Sequence, residues 1–231
     1  MKDEKTKLKI CAAFNAIIFL MTAAVFVWLM FRTGNGTMST NGLANLKYFT
    51  VLSNLFEGGA SLAAFISLCR VLSEKTDSVS RGAFITKLSA AACVTVTFLV
   101  VVVFLGPIYG YGNMYKGASF WYHLVIPVLA FTEFVLLEHF GEISVKDTIK
   151  SVIPVLLYGI VYMCNILING PGEWPHRNDF YGFVLWGLPI GIAIFIGILF
   201  IGWAAALVLR ALNRRAARGT RRIGGRNGET D

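Results

Sequence analysis

Charge is what this chain has least of. Only 15% of its 231 residues are Asp, Glu, Lys or Arg, whereas 56% are hydrophobic and the mean hydropathy is +0.65. That balance excludes an ordinary soluble domain and points to a bilayer as the solvent. Cysteine is sparse and unpatterned. Cys11, Cys69, Cys93 and Cys164 form no CxxC or Cys/His arrangement, so neither a disulfide framework nor a zinc site is implied, and each reads as a small apolar core residue. There is no internal repeat and no extramembrane segment large enough to fold alone. The expectation is a single all-α domain over 1–210 and a basic, disordered tail over 211–231.

What is present is long apolar runs. Six are long enough to span: Leu8 to Phe31, Leu46 to Leu72, Phe84 to Tyr109, Ala118 to Phe140, Thr148 to Ile168 and Tyr181 to Arg210. The first exceeds the apolar core of a cleaved signal and ends without a small-x-small site, so it is expected to stay in the mature chain. Seventeen of the 21 Lys and Arg residues fall on the side that holds both termini and the second and fourth loops. Only Arg32, Lys47, Lys116 and Arg177 fall on the other. The positive-inside rule then puts both termini in the cytoplasm. The net charge of +8 is mostly this topology signal, with the tail from Arg210 to Arg226 attracted to anionic lipid headgroups. No folded nucleic-acid reading module accompanies it. Short loops and a basic amino tail fit a bacterial plasma membrane protein.

Against this background the second span stands out. Thr50, Ser53, Asn54 and Glu57 follow an i, i+3, i+4, i+7 pattern, and at about 100° per residue they share one face of a helix. An ionisable group facing hydrocarbon is costly, so Glu57 must face protein or water, and its default reading is a functional site. With the amino terminus inside, Thr50 lies near the outer end of its helix and His123 near the outer end of the fourth. Glu57 lies about 10 Å deeper, at 1.5 Å per residue. Tyr158, Tyr162 and Asn165 share one face of the fifth span, and the loop with Trp174, His176, Arg177 and Asp179 reaches the same outer level.

A threonine hydroxyl is a weak nucleophile until a nearby base removes its proton, and histidine titrates in the right range. Thr50 and His123 are the candidate pair. Ser53, Asn54 and Asn165 are candidates to orient the histidine or bond an oxyanion, Glu57 to buffer charge, and Tyr162, Trp174, Arg177 and Asp179 to line or close the site. Each has a plainer alternative. Thr and Ser in a membrane helix commonly bond back to a carbonyl one turn earlier. Tyr109, Tyr111, Trp121, Tyr122 and Trp174 read most simply as an aromatic belt. Pro107, Pro127, Pro154 and Pro189 shape helices, and Glu133 pairs them.

The segments Lys47-Tyr48-Phe49-Thr50-Val51-Leu52-Ser53-Asn54 and Trp121-Tyr122-His123-Leu124-Val125-Ile126-Pro127 resemble the androgen-induced gene family of multipass membrane proteins and its bacterial six-helix relatives. The resemblance implies a membrane hydrolase of fatty acid esters of hydroxy fatty acids or similar lipid esters, with Thr50 as nucleophile, His123 as base and no metal or organic cofactor. The chain departs from the family pattern in carrying Ser53 where an acid stands, and in bringing the proline one residue closer to the histidine. A small proton-coupled transporter using Glu57, His123 and Glu133 is the alternative, as is a membrane protein without turnover. The absence of a repeat and of a glycine-broken helix pair counts against a carrier.

Overall fold

The computed structural model describes residues 2–31, 42–173 and 177–226. Among them every regular element is helical, and six helices are long and apolar enough to cross a membrane: α1 (Lys2–Phe31), α2 (Phe49–Leu72), α3 (Arg81–Tyr109), α4 (Ala118–Leu136), α5 (Val145–Asn169) and α6 (Leu188–Arg226). Side-chain caps set two of the starts. Ser80 accepts from the Ala83 amide ahead of α3, and Ser144 and Asp147 form a reciprocal capping box at α5.

α1 packs along α2 and α2 along α3, and α3 also touches α4, α5 and α6. It is therefore the central helix. The run Leu88-Ser89-Ala90-Ala91-Ala92-Cys93-Val94 is buried on every face, as a helix without a solvent or lipid side must be. Its three consecutive alanines narrow the helix and let its neighbours approach.

Two prolines leave a mark on the backbone. Proline has no N–H and its ring collides with the carbonyl four residues earlier. In α3 and α4 the turns over Val101–Leu105 and Trp121–Val125 widen into π-helix, just ahead of Pro107 and Pro127. The residue four before Pro127 is His123. The proline thus places the histidine inside the bulge, a deformation often found at functional sites.

Several boundaries differ from the sequence expectation. The sixth span begins at Leu188, not Tyr181. Residues 181–187 instead form turns in which Gly182 and Gly187 take left-handed φ values of 75° and 94°, which glycine adopts without strain. The fourth span stops at Leu136. The tail expected to be disordered from residue 211 is a continuation of α6 to Arg226. Its Asn213 is buried, with Nδ2 donating to the Phe134 and Glu138 carbonyls at 2.8 and 2.7 Å, so the helix has partners past the expected boundary.

Lys5 bonds Glu74 at 3.1 Å, Arg81 bonds Asp147 at 2.7 Å, and Arg210 donates to the Ile143 carbonyl at 2.7 Å. These contacts gather the start of α1, the α2–α3 turn, the α4–α5 turn and the middle of α6 at one end of the bundle, here the terminal end. Lys87, counted with the second loop, is instead fully buried in α3, yet the remaining basic residues still favour the terminal end. A reporter fused after Asp231 is expected in the cytoplasm and one inserted at Gly172 outside. A cytoplasmic reporter at Gly172 would overturn this orientation.

Candidate functional site

At the end opposite the termini, the first turn of α2 meets a tyrosine-rich wall. The Phe49 amide has no carbonyl partner within its helix and donates to Tyr181 Oη at 2.8 Å. Tyr158 Oη donates to the Lys47 carbonyl at 2.7 Å. Tyr162 Oη donates to Asp179, whose carboxylate also accepts from the Phe183 and Val184 amides at 2.8 and 3.0 Å. Asp179 is buried and spends its oxygens on its own turn and on Tyr162, so it sets the wall. Burial pushes the Tyr181 phenol up to about 12, which keeps it a protonated hydrogen-bond donor near neutral pH.

The polar stripe of α2 points inward, and it splits into two groups. Ser53 and Asn54 are buried while Thr50 is half-buried. Ser53 Oγ bonds Thr97 Oγ1 at 2.8 Å and donates to the Thr50 carbonyl at 3.2 Å. Asn54 Nδ2 donates to the Thr50 carbonyl at 2.7 Å and to the Tyr122 carbonyl at 3.1 Å. One amide therefore ties the first turn of α2 to the π turn of α4. Thr50 does not bond back to a carbonyl, and among the described residues its hydroxyl makes no hydrogen bond.

His123 sits in that π turn, buried, with Nδ1 at 2.7 Å from the Met114 carbonyl. A carbonyl accepts only, so Nδ1 carries the proton and the neutral ring keeps a lone pair on Nε2. No hydrogen bond joins His123 to Thr50 among the described residues. The structure brings their backbone turns together and leaves the two side chains apart.

Thr50 opens on a narrow cavity of about 50 Å³ walled by Thr97, Tyr158, Tyr162, Tyr181 and Phe183, room for a few waters. Beyond Phe49, Tyr158 and Tyr162 lies a wider groove of about 620 Å³ between α2 and α5, carrying Ser53, Phe56, Pro154 and Asn165, within the usual range of small-molecule sites, roughly 300–1,000 Å³. Asn165 accepts from Asn169 at 2.9 Å. Neither lining includes His123. Arg177 is half-buried, and Trp174 and His176 lie outside the described residues. Tyr122, expected in the aromatic belt, is instead core, donating to the Thr22 carbonyl at 3.0 Å.

Glu57 belongs to a second constellation nearer the terminal end. Lys87 Nζ donates to Glu57 and, at 2.5 Å, to Ser61 Oγ, and lies 3.4 Å from Glu133 Oε2. Asn15 Nδ2 donates to Glu133 at 2.7 Å and Glu138 at 3.0 Å, and Cys11 Sγ lies 3.5 Å from Glu133. All are buried. Burial and the neighbouring Glu133 push the Glu138 carboxyl well above its ordinary range. Of the four cysteines, Cys11 faces carboxylates, Cys93 is apolar core, and Cys69 and Cys164 are exposed rather than buried. Sequence reasoning missed Lys87, Glu138, Asn15, Thr97 and Tyr181. Lys87 alone carried a signal, being a lysine inside an apolar span.

The fold and these two buried polar sites define a six-helix membrane protein. Comparison with family models, curated proteins and solved structures finds no match to the chain.

Proposed function

We propose that this chain is an integral plasma-membrane hydrolase of lipid or fatty acyl esters, with Thr50 as nucleophile and His123 as base. One observation carries it: the hydroxyl of Thr50, which makes no hydrogen bond among the described residues, opens on a tyrosine-walled cavity beside a groove, while Asn54 holds the histidine's π turn to the same helical turn. The motif resemblance at both segments supports the same pair. In this mechanism His123 Nε2 takes the Thr50 proton and the alkoxide attacks the ester carbonyl. The alcohol leaves with that proton, and water activated by the same nitrogen releases the acid from the acyl-threonine. Tyr181 offers a proton-bearing donor for the oxyanion, and Ser53 and Asn165 edge the groove by which an acyl chain enters from the bilayer. Catalytic hydrogen bonds are often long or poorly aligned without substrate and tighten only in its complex, and in this reading the Thr50 and His123 side chains meet only when the ester is bound.

A serine-hydrolase-type covalent probe is expected to label the protein in membranes on the peptide containing Thr50, and membranes lacking the protein to accumulate an ester class. Labelling confined to another residue, with no ester accumulating, would sink the proposal. A proton-coupled carrier is favoured by one separate observation, the buried Lys87, Glu57 and Glu133 cluster. Proton flux that survives Thr50→Ala and stops with Glu57→Gln would select it.

A further inference from the structure

The geometry points to a divalent-cation site between α1 and α4, with Cys11 Sγ, Glu133 and Glu138 as ligands and zinc-like borderline metals as the class it takes. It is separate from the Thr50 cavity and does not rest on ester hydrolysis. The thiol and both carboxylates are fully buried, and one ligand atom from each lies within 4.8 Å of the others. Tetrahedral donors at roughly 2.0–2.3 Å from one ion stand about 3.3–3.8 Å apart, so the three side chains draw together on binding by about 1 Å or less. Asn15 Nδ2 holds the two carboxylates side by side, against their mutual repulsion.

Two independent facts call for a cation there. Three carboxylates, Glu57, Glu133 and Glu138, face one ammonium, Lys87, so with all three ionised the cluster carries two negative charges in excess, which a divalent ion cancels. The proton that Cys11 gives up on coordination passes to Glu57 Oε2, outside the ligand set, and keeps the cluster neutral. In addition, Asn15 Oδ1, Glu57 Oε2 and Glu138 Oε2 are buried with no hydrogen-bond partner among the described residues, and Glu133 Oε2 has the Lys87 ammonium at 3.4 Å. Two protons would also cancel the charge. They would leave the two neighbouring carboxyls of Glu133 and Glu138 and the Cys11 thiol unjoined, whereas a single ion holds all three at once. Sulfur in the donor set disfavours magnesium and calcium, which take oxygen ligands, and favours zinc and its neighbours. Glu138 lies just past the end of α4, and its carbonyl accepts from Asn213 of α6, so the site sits toward the terminal end of the bundle.

The test uses tag-free full-length protein in lipid nanodiscs, stripped with chelator and equilibrated with zinc or with magnesium. One zinc per chain by elemental analysis is expected, with a raised Tm and no response to magnesium. Cys11→Ser and Glu138→Gln, both close in size to the native residues, are expected to weaken zinc binding by at least the roughly 10-fold that even outer-sphere changes cost, while the exposed Cys69→Ser binds as wild type. The proposal is overturned if the wild type takes up no stoichiometric zinc, or if both variants bind it unchanged. It is equally overturned if infrared spectra show two protonated carboxyls that zinc does not remove.

Discussion

Thr50→Ala protein is expected to fold and to lose ester hydrolysis down to the uncatalysed background. The threonine hydroxyl has no hydrogen-bond partner among the described residues, so its removal is expected to leave no buried group unsatisfied and to change stability by less than about 1 kcal/mol. The rate, by contrast, loses the attacking atom. Thr50→Ser keeps that oxygen and should retain partial activity, although without the methyl its rotamer is freer. His123→Ala should lower the rate by roughly 100-fold or more, the usual loss when general-base help is removed. It also strips the Met114 carbonyl of its donor, a penalty of about 1–3 kcal/mol for a buried acceptor, so rates must be compared on protein shown to be folded. Fatty acid release from acyl esters by purified protein checks the series. Hydrolysis by folded Thr50→Ala at the wild-type rate would exclude the dyad.

Lys87→Met should have the largest effect on stability. The side chain is fully buried and shared between Glu57 and Glu133. Removing one partner of such a cluster typically costs about 3–5 kcal/mol, because charge is left uncompensated away from water. Adding Glu57→Gln to Lys87→Met removes one of the stranded carboxylates and should recover part of the loss. The exposed Lys5 and Glu74 pair offers the contrast, since water already solvates both groups and Lys5→Met should change little. Reversible unfolding in mixed micelles measures all three. Lys87→Met as stable as wild type would mean that the ion pairs contribute nothing to the bundle.

Much of the architecture was legible in the residues themselves. Hydrophobic length needs no partner to be read, which is why five of the six spans, α1 to α5, fall within about six residues of their expected positions. The start of α6 was misjudged because Tyr181, Phe183, Val184, Leu185 and Trp186 are apolar enough to continue a span. Only their turns, with glycines at positive φ and the Asp179 carboxylate capping two amides, make them a loop. Helical spacing likewise determined that Thr50, Ser53, Asn54 and Glu57 share one face, whereas Pro127 was read only as shaping its helix and the π turn that it leaves at His123 came from the structure.

Tertiary structure decided what those faces meet. Helical spacing sets an angle about one axis and is silent on which helix lies opposite, so it could not separate Glu57, which turns to Lys87 on α3, from Asn54, which reaches the α4 backbone. Lys87 itself was legible as a lysine in an apolar span, but its neutralisation by acids 30 and 46 residues away in sequence required packing of three helices. The joining of Cys11, Asn15, Glu133 and Glu138 is of the same kind. Each alone is a polar residue near a helix, and only the contact of α1 with α4 makes them one site, because low dielectric forces buried charges together wherever the chain brings them within reach.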